Sequence, residues 1–199
     1  MARPASRRLI LASASPQRAA ILTQIGVAFE VRAADVEELT EGPPAEVVLE
    51  NAHRKATAVA ATLEPGSPPV LAADTEVVLG STIFGKPRDA EDAARMLGEL
   101  AGRRHQVFSG VCLIEPGGAG DRAPHRVRTA ASRTEVEFRP LDRAAIDGYL
   151  ATGEWRGRAG AYAVQGVGAT LVRRIEGDYL GVVGLPVCTL IELAPWLAP

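Results

Sequence analysis

Residues 9–18 read Leu9-Ile10-Leu11-Ala12-Ser13-Ala14-Ser15-Pro16-Gln17-Arg18, and a helical apolar pattern follows over residues 19–25. A buried strand is driven through a short polar turn into a helix. Ser15 suits the N-cap, Pro16 the first helical position and Gly26 the C-terminal stop. Free amides at such a helix start favour phosphate or carboxylate, and Arg18 adds a fixed positive charge with bidentate reach. A capped helix with a surface arginine looks the same in isolation, so the segments around it decide what the turn is for.

Working outward, residues 28–33 alternate like a strand and lead into the acidic stretch Asp35-Val36-Glu37-Glu38. Residues 43–63 carry a helical pattern, with Val47, Val48, Ala52, Ala56, Val59 and Ala60 on the apolar face and Glu46, Glu50, Arg54 and Lys55 mostly off it. Gly66-Ser67-Pro68-Pro69 breaks the chain. A short buried strand over 70–73 then delivers Asp74-Thr75-Glu76 before strand character resumes over 77–79. Asp89 caps a helix running to Leu100, with Gly102 as its stop. Two long strand-like runs, 106–115 and 126–138, read as an antiparallel hairpin with a Gly- and Pro-rich tip over 116–124. A helix over 141–151, a Gly-rich segment over 153–168, strands over 169–175 and 180–183, and a final helix from 185 or 186 complete the pattern. Strands and helices mixed with hairpins imply an α/β or α+β fold and exclude a purely parallel sheet.

The chain has 199 residues, 47% of them hydrophobic, enough for one sizeable core and one domain over 1–199, bilobed at most. A net charge of -2 gives no broad attraction to nucleic acid or acidic membrane, so any phosphate recognition is local and directed at small anions. No apolar run approaches the roughly 18 residues of a membrane span, and the cytoplasm is the expected location. Cys112 and Cys188 form no Cys-x-x-Cys pair and read as buried free thiols, while His53, His105 and His125 lack metal-ligand spacing. Any metal chemistry therefore uses carboxylates.

Several residues stand out chemically. Residues 80–87, Gly80-Ser81-Thr82-Ile83-Phe84-Gly85-Lys86-Pro87, nearly spell a P-loop, but Pro87 supplies neither the hydroxyl nor the N–H that the last position needs. What survives is Lys86 on a rigid turn, a point charge for phosphate. Asp74 lies at the end of a buried strand, where open α/β sheets place ligand-contacting groups, and an ionised carboxylate there is costly unless paired or metal-bound. Glu37 and Glu38 offer a second carboxylate, and magnesium is commonly held by one or two carboxylates plus substrate phosphates. Arg18, Lys55, Lys86 and Arg158 would balance a polyphosphate. In the segment Arg158-Ala159-Gly160-Ala161-Tyr162-Ala163-Val164-Gln165-Gly166, small residues allow close backbone approach and Gln165 offers a donor and an acceptor to a base edge.

Together these segments resemble the Maf family of nucleoside triphosphate pyrophosphatases over nearly the whole chain. The resemblance is carried by Leu11-Ala12-Ser13-Ala14-Ser15-Pro16 with Arg18, Asp35 to Glu38, Lys55-Ala56, Ala73-Asp74-Thr75, Gly85-Lys86-Pro87, Ala159-Gly160-Ala161-Tyr162 with Gln165-Gly166, and Ile175-Glu176-Gly177-Asp178-Tyr179 with Val182-Val183-Gly184-Leu185-Pro186. It implies a Maf/ITPase-like α/β fold, a twisted mixed β-sheet flanked by helices, with two lobes and a central cleft. It also implies metal-dependent hydrolysis of a nucleoside triphosphate between the α and β phosphates, giving the monophosphate and pyrophosphate.

By this resemblance Asp74 matches the proton acceptor, Gln17, Thr75 and Gln165 the specificity positions, and Ser13, Ser15 and Arg18 the substrate-binding turn. A divalent cation, magnesium or manganese, would sit on Glu38 and Asp74, or on Glu38 alone with Asp74 as base, while Lys55 and Lys86 work beside them. The Asp-Thr pair and the Gln-Gly ending resemble the branch acting on dTTP, UTP and modified pyrimidine nucleotides. One position departs from that branch, Gln17 in place of its usual arginine, and the family's usual lysine before Ala-Gly-Ala-Tyr is Arg158 here. The readings left open are a 7-methyl-GTP or other purine-directed enzyme of the same fold, a non-catalytic regulator of cell division, and a nucleotide sensor. Family members are often dimers, so a homodimer is among the expectations.

Overall fold

The structure is a computed structural model that describes residues 8–115 and 126–198. One seven-stranded mixed sheet organises it. Strand β1 (Leu9–Leu11) lies between β2 (Phe29–Val31) and β3 (Val70–Leu79), parallel to both. Beyond β3 the sheet turns antiparallel through β5 (Arg104–Glu115), β6 (Arg126–Phe138) and β7 (Val172–Glu176), and the short β4 (Thr82–Phe84) pairs with the end of β3. The helices are α1 (Pro16–Gln24), α2 (Pro44–Ala60), α3 (Ala90–Leu100), α4 (Arg143–Ala151), α5 (Tyr179–Val183) and α6 (Val187–Leu193).

The first half of β3 is buried on both faces. Leu71 and Ala73 pack with Leu9, Leu11, Ile21, Leu22 and Leu190, while Val70 and Ala72 pack with Ile10, Ala52, Ala56 and Val59. Period-2 alternation accounts for the two sets. The far ends of the same strands serve a different core, where Val77, Val107 and Val136 meet Leu97, Leu100, Phe138 and Tyr162. The expected two lobes are thus two ends of shared strands, and residues 74–76 fall where one core gives way to the other.

Register explains how α2 reaches that point. Asp74 faces Gly110 across the β3–β5 ladder. A Cβ on Gly110 would come within 2.5 Å of the Val48 carbonyl oxygen, so only glycine allows the α2 backbone to lie this close to the sheet.

Four sequence expectations need correction here. The strand expected over 70–73 runs through to Leu79, because nine consecutive pairs with β5 carry the backbone past the polar triplet. Residues 180–183 are helical, since the Asp178 side chain accepts from the Gly181 amide and caps the turn. In the expected strand over 169–175, residues up to Leu171 form a 3-10 turn and only Val172 onward pairs. Cys112 is buried as expected, but Cys188 on α6 is exposed. By contrast Asp89 caps α3 by accepting from the Asp92 amide at 2.8 Å, and the long hairpin is antiparallel as read. Its tip over 116–124 lies outside the described residues.

Two outcomes follow. Gly110→Ala forces α2 off the sheet and should cost about 1–3 kcal/mol by chemical denaturation, the scale of an overpacked core. His105 is buried beside Phe138 with its Nε2 2.9 Å from the Tyr162 hydroxyl, and burial pushes its pKa down to about 4. The unfolded chain binds a proton near pH 6.5 that the folded form refuses until about 4, so the contribution of His105 to stability falls as pH drops through that window. Glu76, whose pKa is raised to about 8, gives the opposite slope over the same range, so the His105 contribution is the difference between wild type and His105→Gln, which should approach ~1.4 kcal/mol per pH unit between pH 6 and 5.

Candidate active site

A cleft of about 870 Å³ opens where the cores change over, lined by the turn before α1, by residues 74–77 of β3, by Lys86 and by residues 154–166. Its floor is an ion-pair cluster built on Asp74, which is only 4% exposed. The Lys55 ammonium lies 2.6 Å from Asp74 Oδ1 and 2.7 Å from Glu38 Oε1, bridging the two carboxylates. Asn51, one helical turn earlier on α2 and wholly buried, donates to Asp74 Oδ2 at 3.1 Å. The same amide pins the Glu38 loop, accepting from the Leu39 N–H at 2.7 Å and donating to the Leu39 carbonyl at 3.0 Å. Positions i and i+4 share a helix face, so α2 presents both groups to one carboxylate.

Lys55 had read as lying mostly off the apolar face. It is in fact 8% exposed and points at the sheet, because pairing to two carboxylates offsets the desolvation of its charge. Of the acidic stretch, Asp35 and Glu37 are exposed, and Glu38 alone turns inward.

Glu76 lies two residues beyond Asp74 and therefore on the same side of β3. It is 7% exposed, and its Oε2 is buried without a hydrogen-bond partner. Burial first, then the charges of Asp74 and Glu38, push its pKa up to about 8 against the opposing pull of Lys55 and Lys86.

Thr75 points the other way. Arg18 reaches it from α1 at 3.5 Å while donating to Ser13 Oγ at 3.0 Å and to the Gly184 carbonyl at 2.9 Å. Ser109 Oγ donates to the Gly181 carbonyl at 2.7 Å, which leaves it to accept from Thr75. Donation thus runs Arg18 to Thr75 to Ser109 to Gly181, locking the α1 turn to α5. Burial lowers the Arg18 pKa from its ordinary value, and Asp74 and Glu38 work against that shift. Ser15 occupies the N-cap position of α1, but its hydroxyl donates to Gln17 Oε1 at 3.0 Å and makes no side-chain cap. The Gln17 and Arg18 amides at the start of α1 are left without a side-chain cap, while the Ala19 amide already donates to the Ser15 carbonyl, and Gln17 keeps its NH₂ as a neutral donor.

Lys86, 63% exposed, sits at the mouth 3.9 Å from Glu38 Oε2. Its turn is fixed by the Gly160 N–H donating to the Gly85 carbonyl at 3.1 Å. A Cβ on Gly160 would stand 2.9 Å from Val77, and the residue has φ +66°, so glycine is required twice over. Gln165 is exposed on the rim, on a loop held by Glu154, whose carboxylate oxygens accept from the Val167 and Gly168 amides at 3.0 Å each. Arg158 also lines the cleft, and burial lowers its pKa.

The cleft brings together Ser13, Ser15, Gln17, Arg18, Glu38, Lys55, Asp74, Thr75, Lys86 and Gln165. Sequence reasoning missed the roles of Asn51, Glu76, Ser109 and Glu154, and only Glu76 carried a signal, its i, i+2 spacing from Asp74. The donors suit a hard divalent cation: they are carboxylate oxygens, and the orphaned Oε2 of Glu76 is an open one. Among the described residues no three His, Cys, Asp or Glu side chains could hold a metal by themselves, so phosphate oxygens would have to complete the shell. Also among these residues, no helix is long and apolar enough to cross a membrane.

Comparison with known proteins fits this geometry. The model of the Maf-like protein family matches residues 8–195. The dTTP/UTP pyrophosphatase of Anaeromyxobacter sp. (strain Fw109-5) is 47% identical, over 96% of this chain and 94% of that one. The dTTP/UTP pyrophosphatase of Pelotomaculum thermopropionicum is 43% identical over 94% and 95%, and that of Pyrococcus furiosus 39% identical over 94% of both. A solved HAM1 protein from Coxiella burnetii overlaps at TM-score 0.44 and 17% identity, over 68% of this chain and 75% of that one, too distantly to bear on the site. By the family match and these identities, the chain is a member of the Maf-like protein family.

Proposed function

We propose that the chain is a single-domain nucleoside triphosphate pyrophosphatase of the cytoplasm that hydrolyses dTTP and UTP to the monophosphate and pyrophosphate. The observation that carries this reading is the Asp74 carboxylate, held by Lys55 and Asn51 at the floor of a cleft whose walls bear Arg18, Lys86 and the open amides of α1. The names and identities of the relatives support the same substrates.

Ser13, Ser15 and the first amides of α1 receive the phosphates, with Arg18 as their fixed charge. Asp74 takes the proton of a water attacking the α-phosphorus. The bond from the α-phosphorus to the bridging oxygen breaks in line, and that oxygen leaves with pyrophosphate. Lys86 neutralises charge on the departing group, and Lys55 holds Asp74 and Glu38 in place. Glu38 and Asp74 are the carboxylates proposed to hold a divalent cation, which when bound polarises the phosphoryl oxygens and offsets their charge. Gln17, Thr75 and Gln165 are proposed to select the base, with Thr75 acting through the position of Arg18.

Pyrophosphate release from dTTP, UTP, CTP, GTP and 7-methyl-GTP, with magnesium, manganese or chelator, tests the reading. Metal-dependent release favouring dTTP and UTP is expected. A preference for a purine nucleotide would instead assign the base choice to the neutral donor of Gln17. Asp74→Asn should lower kcat at saturating metal by about 10²–10⁴, the usual contribution of a positioned general base. Near-normal turnover would remove Asp74 from the chemistry.

A further inference from the structure

Asp74 and Glu76 stand in unequal positions. Both Asp74 oxygens already accept from nitrogen, Oδ1 from Lys55 and Oδ2 from Asn51. Glu76 projects from the same side of β3 into the same cleft, more than nine-tenths buried, and its Oε2 accepts from nothing. An unpaired carboxylate oxygen in such a place costs free energy that the fold has no evident reason to carry. Nearby Lys55 and Lys86 do not remove that cost, because Lys55 pairs with Asp74 and Glu38 and Lys86 with Glu38. A hard cation meets the requirement, since carboxylate oxygen is its preferred donor and substrate phosphates fill the remaining positions.

We propose that Glu76 is a carboxylate ligand of the divalent cation, binding it through the open Oε2 beside the substrate phosphates. The inference rests on the pyrophosphatase reading and sharpens it. Asp74, oriented by Lys55 and Asn51, is then kept for proton transfer, and the cation's protein ligands become Glu76 and Glu38. A purely structural Glu76 would be equally served by glutamine, which has the same shape and no charge.

Binding of Mn²⁺ to the intact chain, followed by electron paramagnetic resonance with α,β-methylene dTTP present, separates the two. Glu76→Gln should weaken Mn²⁺ binding by at least ~10-fold, a loss seen even when groups that merely support a metal ligand are removed. Its melting temperature in chelator should be no lower than that of the wild type, while the upward shift that Mn²⁺ gives the wild type is lost. Glu76→Asp, which keeps the carboxylate but draws it back, should fall between the two and serves as the test if the glutamine variant does not fold. Wild-type Mn²⁺ affinity in either variant overturns the proposal and leaves the enzyme reading standing. Pyrophosphate release by the wild type in chelator overturns the proposal and the expected metal dependence together, and leaves the hydrolysis itself standing. A wild type that releases no pyrophosphate with any metal overturns the functional reading beneath it.

Discussion

The cleft depends on one buried ammonium. Lys55 lies between Glu38 and Asp74, and without it two carboxylates would share a poorly solvated floor. Removing one member of such a cluster typically costs about 3–5 kcal/mol, because its partners are left charged and uncompensated. The arrangement needs α2 close to the sheet, which Gly110 permits, and it needs the Glu38 loop at a fixed height, which Asn51 sets by gripping Leu39 on both sides. Charge, helix position and loop position are therefore one constraint, met at Asp74.

The opposite side of β3 is organised without net charge cancellation. Arg18 is fixed by a serine hydroxyl, a threonine hydroxyl and a backbone carbonyl, all neutral acceptors. Its charge is thus held in place while remaining available to a phosphate. The strand separates two kinds of electrostatics by its two-residue period: paired ions face α2, and an oriented but unneutralised cation faces α1.

How much of this was legible in the sequence varies with the range of the interaction involved. The β1 turn, the Asp89 cap and the long hairpin are local patterns and were readable directly. Lys55 was misplaced because its chemistry says solvent and only partners 17 and 19 residues away in the chain say otherwise. Asp74 reads as the end of a strand because a carboxylate breaks an apolar run, whereas the ladder to β5 continues regardless of side chain. The apolar run over 180–183 was ambiguous at that length, and the Asp178 cap decided it. Most site residues were recognised through family resemblance more than through physics. Asn51 and Glu154 had no local mark at all, since each acts on backbone that only folding brings near.

The continuity of β3, β5 and β6 through both lobes has a mechanical consequence. A cleft between domains joined by a linker can close by rotating one about the other. Here the walls rise from the same strands, and bending them would break ladder hydrogen bonds along the whole β3–β5 pairing. The span between the cation-bearing turn of α1 and the carboxylates on β3 is accordingly set when the sheet forms. Adjustment to different nucleotides falls to the peripheral residues 153–168, so such a cleft sorts its ligands by a gauge of nearly constant width.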